Sequence, residues 1–264
     1  MTLRKRLGSF GIGAGIAVIL LFLYLPAIVV AIYSLNKGPV MSWPPELLSF
    51  HWYSKAFANP AMTEGLKNSV IVAVISVAIA VGLGIPAGLG VDRFEFFGKT
   101  AFQRLLMLPF LMPGLISGLT LLTVVLDFQF ELSLTTVIIA HASMLIAIVV
   151  IQMAVVLDRW DRSLELAAQD LGANEIKTFF YVTWPNIRAA IIGASLLGIA
   201  VSLDETARTA FVIGEQNTLP IVVLSSLRRT LTPEINAIGT VVLVISLIGV
   251  LVWSRFGAAD LARE

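Results

Sequence analysis

Along the chain, polar positions break a largely apolar sequence into runs of membrane length. Six such runs cover Phe10–Tyr33, Leu66–Gly90, Phe102–Leu126, Leu134–Leu157, Ala189–Ile213 and Ala237–Trp253. A helix needs about 20 apolar residues to cross the hydrocarbon core of a bilayer, and helix satisfies the backbone where water is absent. The pattern predicts an all-α, polytopic membrane protein with six transmembrane helices. The first run follows LRKR, as a signal peptide would. Its apolar stretch exceeds the roughly 7–15 residues of a signal core, and AIVVAIYS is a poor cleavage site, so it is expected to stay as the first span.

The connections carry their own patterns. Ser34–Gly65 contains SWPPELLSFHWYSKAF, whose prolines and aromatics suit a segment at the headgroups. DFQFELS is so short that spans three and four must form a tight hairpin. Gly214–Ile235 contains LPIVVLSSL, too short to cross and expected to dip into the membrane or lie on it. TPEIN then starts the last helix, with Thr232 as N-cap, Pro233 at the first helical position and Glu234 at the positive end of the dipole. Within the spans, Gly84–Gly88 and Gly114–Gly118 have the GxxxG spacing of close helix approach. Pro86, Pro109 and Pro113 are expected to kink or loosen their helices. Such features serve simple packing or, in span three, the wall of a cavity.

Composition agrees with lipid as the solvent: 58% of the 264 residues are hydrophobic and 13% charged, with a mean hydropathy of +0.91. A net charge of +1 gives no case for nucleic acid, and the absence of cysteine excludes disulfides and thiolate chemistry. Lysine and arginine set the orientation. With the N-terminus inside, twelve of the eighteen fall on the inner side and five on the outer, while Arg208 lies within a span. Both termini are therefore expected in the cytoplasm.

Most candidate chemistry fails on its pattern. RFEFFGKT (Arg93–Thr100) ends like a phosphate-binding loop, but Arg93 stands where glycine is needed and a membrane span replaces the strand. It reads better as a basic, aromatic anchor on the inner face. His51 and His141 are the only histidines and have no second ligand at zinc spacing, so no metal site is expected and His141 is read as a polar packing contact. No motif of an intramembrane protease or other catalytic residue set appears. The outlier is AVSLDETARTAF in span five, where Asp204, Glu205 and Arg208 lie midway in an apolar run. Each costs about 2.5–3.5 kcal/mol on insertion scales, and intramembrane charges usually face a cavity. Asp204 and Arg208, at i and i+4, are expected to pair along one helix face, with Glu205 and Ser202 nearby. The group either fixes helix packing or lines a polar pathway.

The inner connection 158–187 contains SLELAAQDLGANEIKTFFYVTWPNI (Ser163–Ile187), which a plain tether would not need. Ser163 can cap a helix with Glu165 in its first turn. Leu164, Ala167, Ala168 and Leu171 form one stripe, and Gly172 suits the left-handed stop. Asn174 can cap a second helix with Ile176, Phe179, Phe180 and Val182 on its apolar side before Pro185 ends it. The pattern predicts a helix–turn–helix on the cytoplasmic face, shaped to seat in a partner's groove.

LELAAQDLGANEIKTFFYVTWP resembles the EAA loop of ABC-importer permeases. Ala167, Ala168 and Gly172 match its pattern, Val182 and Pro185 close it, and Trp184 replaces the usual leucine. The position of the family glutamate holds Leu166; the acid is Glu165 next door. LPFLMPGLISGLTLL, SLDETARTAF and TPEINAIGTVVLVISL are similar to the second permease of spermidine/putrescine-type importers. The resemblance implies a permease subunit of an ATP-driven solute importer in the bacterial inner membrane. Implied partners are a second permease, most simply in a heterodimer, two ATPase subunits and a periplasmic solute-binding protein, within membrane lipid. ATP and magnesium would sit in the ATPase subunits, with no cofactor in this chain. The implied coupling residues are Glu165, Ala167, Ala168, Asp170, Gly172, Ala173, Phe179 and Pro185. The implied solute pathway uses Ser202, Asp204, Glu205 and Arg208. The family's usual acid after the span-three proline is Gly114 here, and Arg208 is an added cation. The solute the resemblance implies is a polyamine or a molecule with both amine and acid groups, such as an opine, amino acid or aminophosphonate. The other readings open on sequence are a membrane assembly protein whose loop docks a non-ATPase partner, and a membrane enzyme using Asp204 and Glu205.

Overall fold

The computed structural model describes residues 3–39, 44–45, 48–228 and 232–256. SWPPELL lies largely outside them, as do Arg229 and Arg263 of the charge pattern. Among the described residues the structure is helical, with one isolated bridge between Asn36 and Leu48. The chain divides into two compact units, residues 1–63 with 225–247, and residues 64–224 with 248–264.

In the first unit α1 (Leu3–Ser34) contains the apolar stretch Gly15–Ser34, whose outward side chains are exposed as lipid-facing residues would be. The short α2 (His51–Ala58) buries Trp52 and Ala56 and sets Lys55 Nζ 4.9 Å from the Trp52 ring centre. Tyr53 OH is 2.7 Å from Ser34 Oγ. Asn59 Nδ2 donates to Glu234 Oε1 at 2.8 Å, beside the Pro233 that opens α12 (Pro233–Phe256). Pro233 and Glu234 thus stand where the sequence puts them.

The second unit is organised on α6 (Leu134–Leu157), the most buried helix. It packs between α3 (Pro60–Arg93), α4 (Lys99–Leu111) and α9 (Trp184–Asp204). Small residues make that packing possible. A Cβ on Gly84 would come within 2.7 Å of Val149, and one on Gly88 within 2.7 Å of Met153. The two glycines therefore receive one ridge of α6, and Pro86 between them leaves α3 unbroken. At the far end, α11 (Leu219–Leu227) buries Leu219 and Val222; Leu219 N–H donates to Ser69 Oγ at 2.9 Å.

Among the described residues, four helical stretches are long and apolar enough to cross a membrane: Gly15–Ser34, Pro60–Arg93, Leu134–Leu157 and Glu175–Asp204. The other two runs differ from that simple form or are shorter. Span three is two helices, α4 and α5 (Gly114–Asp127), meeting at a bend of 106°. Pro113 has no N–H for the carbonyl of Pro109, and its ring bars Met112 from helical geometry, so Met112 is extended (ψ 134°). The last run forms a shorter apolar helix over Pro233–Ile248. Span five is interrupted as well: α9 stops at Asp204, Glu205 is extended, and a short α10 (Thr209–Val212) follows the turn.

The connection 158–187 forms α7 (Ser163–Asp170), a turn with Gly172 at φ 87°, and α8 (Glu175–Thr178), whose first turn Asn174 caps by accepting from Lys177 N–H at 2.9 Å. Two local expectations fail. Ser163 is not the cap: its N–H is taken by Asp161 Oδ1 at 2.9 Å, which places Ser163 inside the helix. Pro185 does not end the second helix either. A π-turn over Phe179–Thr183 widens the coil and carries it into α9, where Pro185 sits in the first turn and needs no N–H partner.

Candidate functional site

Span five breaks where its charges are. Glu205 Oε1 accepts from the Arg208 backbone N–H at 2.9 Å, capping the turn, and Glu205 Oε2 accepts from Arg208 Nη1 at 2.6 Å. The ion pair therefore joins Glu205 to Arg208. Asp204 is not part of it, because the backbone leaves the helix after Asp204 and the i,i+4 geometry is lost. Both partners are largely withdrawn from solvent, at 12% and 6% side-chain exposure.

Arg208 uses every donor it has. Nε donates to Ser117 Oγ at 2.6 Å, and Nη1 also lies 2.9 Å from Met144 Sδ. Nη2 reaches the carbonyls of Pro109 at 2.9 Å and Met112 at 3.1 Å. Those carbonyls belong to the broken end of α4, where Pro113 has removed their helical partners. A guanidinium offers five N–H groups in a rigid fork, and its charge suits a helix C-terminus. One buried cation thus neutralises Glu205 and closes the break in span three. The glycines allow the approach: a Cβ on Gly118 would lie 2.8 Å from Phe211 and 3.0 Å from Arg208 Cα, and one on Gly114 3.0 Å from Ala207 Cβ.

His141 holds the other side of the break. Its ring nitrogens lie 2.7 Å from Ser202 Oγ and 2.8 Å from Thr209 Oγ1, bridging α6 to the helices on either side of the gap. Ser202 is consequently buried behind the break. Asp204 alone is exposed, and among the described residues its carboxylate has no hydrogen bond or ion pair.

The second cluster lies at the connection 158–187. Glu165 turns inward, at 16% side-chain exposure, and Oε1 accepts from Arg93 Nη2 in an ion pair and from Thr183 Oγ1 at 2.6 Å. Arg162 Nη2 donates to Asp92 Oδ2 at 2.8 Å and to the Asp92 carbonyl at 2.9 Å. The backbone and hydroxyl of Ser163 hold the Asp161 carboxylate below its ordinary range by hydrogen bonding to its charged form. The outer side of the loop is apolar and uncovered: Leu166 is 61%, Leu171 90% and Ile176 68% exposed.

Residues 80–259 match the family model described as the inner membrane component of binding-protein-dependent transport systems. The chain belongs to this family. The permease is 33% identical over 252 residues to the putrescine transport system permease protein PotI of Escherichia coli, covering 92% of this chain and 89% of the relative. It is 28% identical over 232 residues to the spermidine/putrescine transport system permease protein PotC of Haemophilus influenzae, covering 87% and 90%. Its fold is similar to that of a bacterial alginate ABC transporter solved with an alginate-pentasaccharide-bound periplasmic protein, at a TM-score of 0.71, 15% identity and 96% and 94% coverage. The methionine ABC transporter MetNI gives 0.62 at 13% identity, covering 75% of the permease and 95% of that chain. At these identities the structures speak for the fold alone.

The permease is thus a multi-pass inner-membrane subunit of a binding-protein-dependent importer. Of its expected pathway residues, the structure groups Glu205 and Arg208, buries Ser202 against His141, and leaves Asp204 apart. In the loop, Ala167 is exposed and Ala168 half-buried, with Asp170 exposed at the end of α7, Gly172 at the corner, and Ala173 and Phe179 half-buried behind it. Sequence reasoning missed Ser117, Met144, Thr183 and the pairing of Arg93 with Glu165. Each is an ordinary residue whose role depends on a partner more than 15 positions away, a relation that periodicity does not record.

Proposed function

We propose that the permease forms half of the translocation pathway for a small polyamine-like cation delivered by a periplasmic binding protein, with Asp204 as its pathway acid. The observation that carries this is the separation of charges at the break. The sequence alone weighs Arg208 against the acids and so admits a solute bearing both amine and acid groups. Arg208 is spent on Glu205, Ser117 and two carbonyls, so its charge does not offset Asp204. The net negative group left exposed suits a cation, and PotI and PotC are by name putrescine and spermidine/putrescine permeases. In this reading Ser202, Glu205 and Arg208 build the wall that holds Asp204.

The exposed side of 163–187 fits a groove of an ATPase subunit better than it fits water, which supports the coupling role of Ala167, Ala168, Gly172 and their neighbours. The subunit would then work with a second permease and two ATPases, crossing the membrane six times with both termini inside. ATP and magnesium would be handled by the ATPases, and no residue of this chain is assigned a catalytic step. Closure of the ATPases on ATP would turn the permeases outward to receive solute, and hydrolysis would reset them.

The test is uptake by the assembled importer. Asp204→Asn should abolish or sharply reduce cation uptake while both ATPase subunits still co-purify. Uptake at the wild-type rate in that variant would remove Asp204 from the pathway. Loss of a chemical activity from the purified variant alone would favour the membrane-enzyme reading instead.

A further inference from the structure

The loop that reads as the ATPase-docking element is fastened to the cytoplasmic end of α3 by two ion pairs of opposite polarity. Asp92 and Arg93 are consecutive at the end of α3; Arg162 and Glu165 are three apart at the start of α7. Asp92 pairs with Arg162, and Arg93 pairs with Glu165. A single ion pair would permit slippage and rotation, and an exposed one contributes little. Two pairs of opposite sense do not slip freely. Exchanging partners would set Arg93 against Arg162 and Asp92 against Glu165, and like charges facing each other are repulsive.

Three further details tighten the junction. Arg162 also donates to the Asp92 carbonyl, one of the last carbonyls of α3 that lack a helical partner. Glu165 and Arg93 both bond to the hydroxyl of Thr183, which is fully buried in the π-turn leading into α9. The carboxylate of Glu165 therefore ties together the end of α3, the loop helix α7 and the start of α9. Meanwhile Leu166, at the position of the family glutamate, faces outward and cannot carry an ion pair.

We propose that Glu165 and Arg93, with Asp92 and Arg162, are positioning residues that lock the coupling helix to the cytoplasmic ends of spans two and five, so that an ATPase stroke moves all three as one body. Glu165 is thereby an internal strut and not a contact to the ATPase; the ATPase meets the apolar side of the loop. This rests on the reading of 163–187 as the ATPase-docking element.

The experiment uses the complete importer in proteoliposomes, with binding protein and polyamine supplied, and measures ATP hydrolysis, uptake and ATPase co-purification together. Arg93→Ala and Glu165→Gln should keep both ATPase subunits and basal hydrolysis while uptake per ATP falls about tenfold, the factor that loss of roughly one charge-assisted hydrogen bond carries. The chain has no cysteine, so Arg93→Cys with Glu165→Cys can be bridged by a short bifunctional thiol reagent. The bridge should restore uptake per ATP to near the wild-type value. Unchanged uptake per ATP in the single variants, or no recovery on bridging, overturns the lock. So does loss of the ATPase subunits from Glu165→Gln, which would make Glu165 their contact. Leu171→Asp is the separate control: if it retains the ATPases, the docking reading itself fails, whatever the lock variants do.

Discussion

At the residue scale, the charges in span five divide into one group that builds and one that is left over. Arg208 is held by bonds to α4, α5, α6 and its own turn, so its removal strands Glu205 and two carbonyls at once. Removing one partner of a buried ion pair typically costs about 3–5 kcal/mol. Arg208→Met should lower the thermal unfolding temperature of the detergent-solubilised permease and its yield, and Arg208→Lys should recover little, since a lysine cannot span five acceptors from one planar fork. Equal melting of wild type and Arg208→Met would show that these bonds do not hold the break. Asp204 makes no comparable bonds, so Asp204→Asn should leave melting unchanged while affecting uptake.

At the scale of elements, the helices meet where side chains are missing. Gly84 faces Val149 so closely that Gly84→Val should overpack α3 against α6, at a cost of about 1–3 kcal/mol. Gly82, with no atom within 4 Å of its would-be Cβ, is the internal control: Gly82→Ala should be neutral or stabilise by up to about 1 kcal/mol. Melting temperatures of the two variants check the contrast, and similar shifts would deny the glycine contact its packing role. Gly172 is set by conformation, not contact. Its φ of 87° has open space around it, so Gly172→Ala should cost about 1–2 kcal/mol of left-handed strain, felt in the loop alone. Hydrogen exchange should quicken in 163–178 and stay unchanged in α6.

At the scale of the whole molecule, much of the surface is apolar for two different reasons. The exposed side chains of α1 fit lipid, whereas Leu166 and Leu171 lie on the connection before the Glu175–Asp204 stretch. The second group is the one that needs a protein partner. Leu171→Asp should release the ATPase subunits during co-purification while leaving the permease folded in the membrane; full retention would argue that the ATPases do not dock on this loop.

What the sequence by itself determined follows from short-range physics. Runs of apolar residues at membrane length, a glycine suited to the left-handed corner, Asn174 at a helix start and Pro233 at another all act through neighbours a few residues away. The helical membrane class, the bent loop and the GxxxG contact of α3 were therefore legible. The breaks were only half legible. Pro113 announces the bend in span three, but nothing between Asp204 and Arg208 demands that an apolar helix stop there. Only the tertiary structure decided that, because the orphaned carbonyls of α4 and the hydroxyl of Ser117 draw Arg208 out of helical register, while His141 bonds to both sides of the gap. The same holds for Glu165: its place in a helical turn is local, but its partner is Arg93, 72 residues away in the chain. Long-range charge pairing depends on which ends folding brings together, and periodicity carries no record of that.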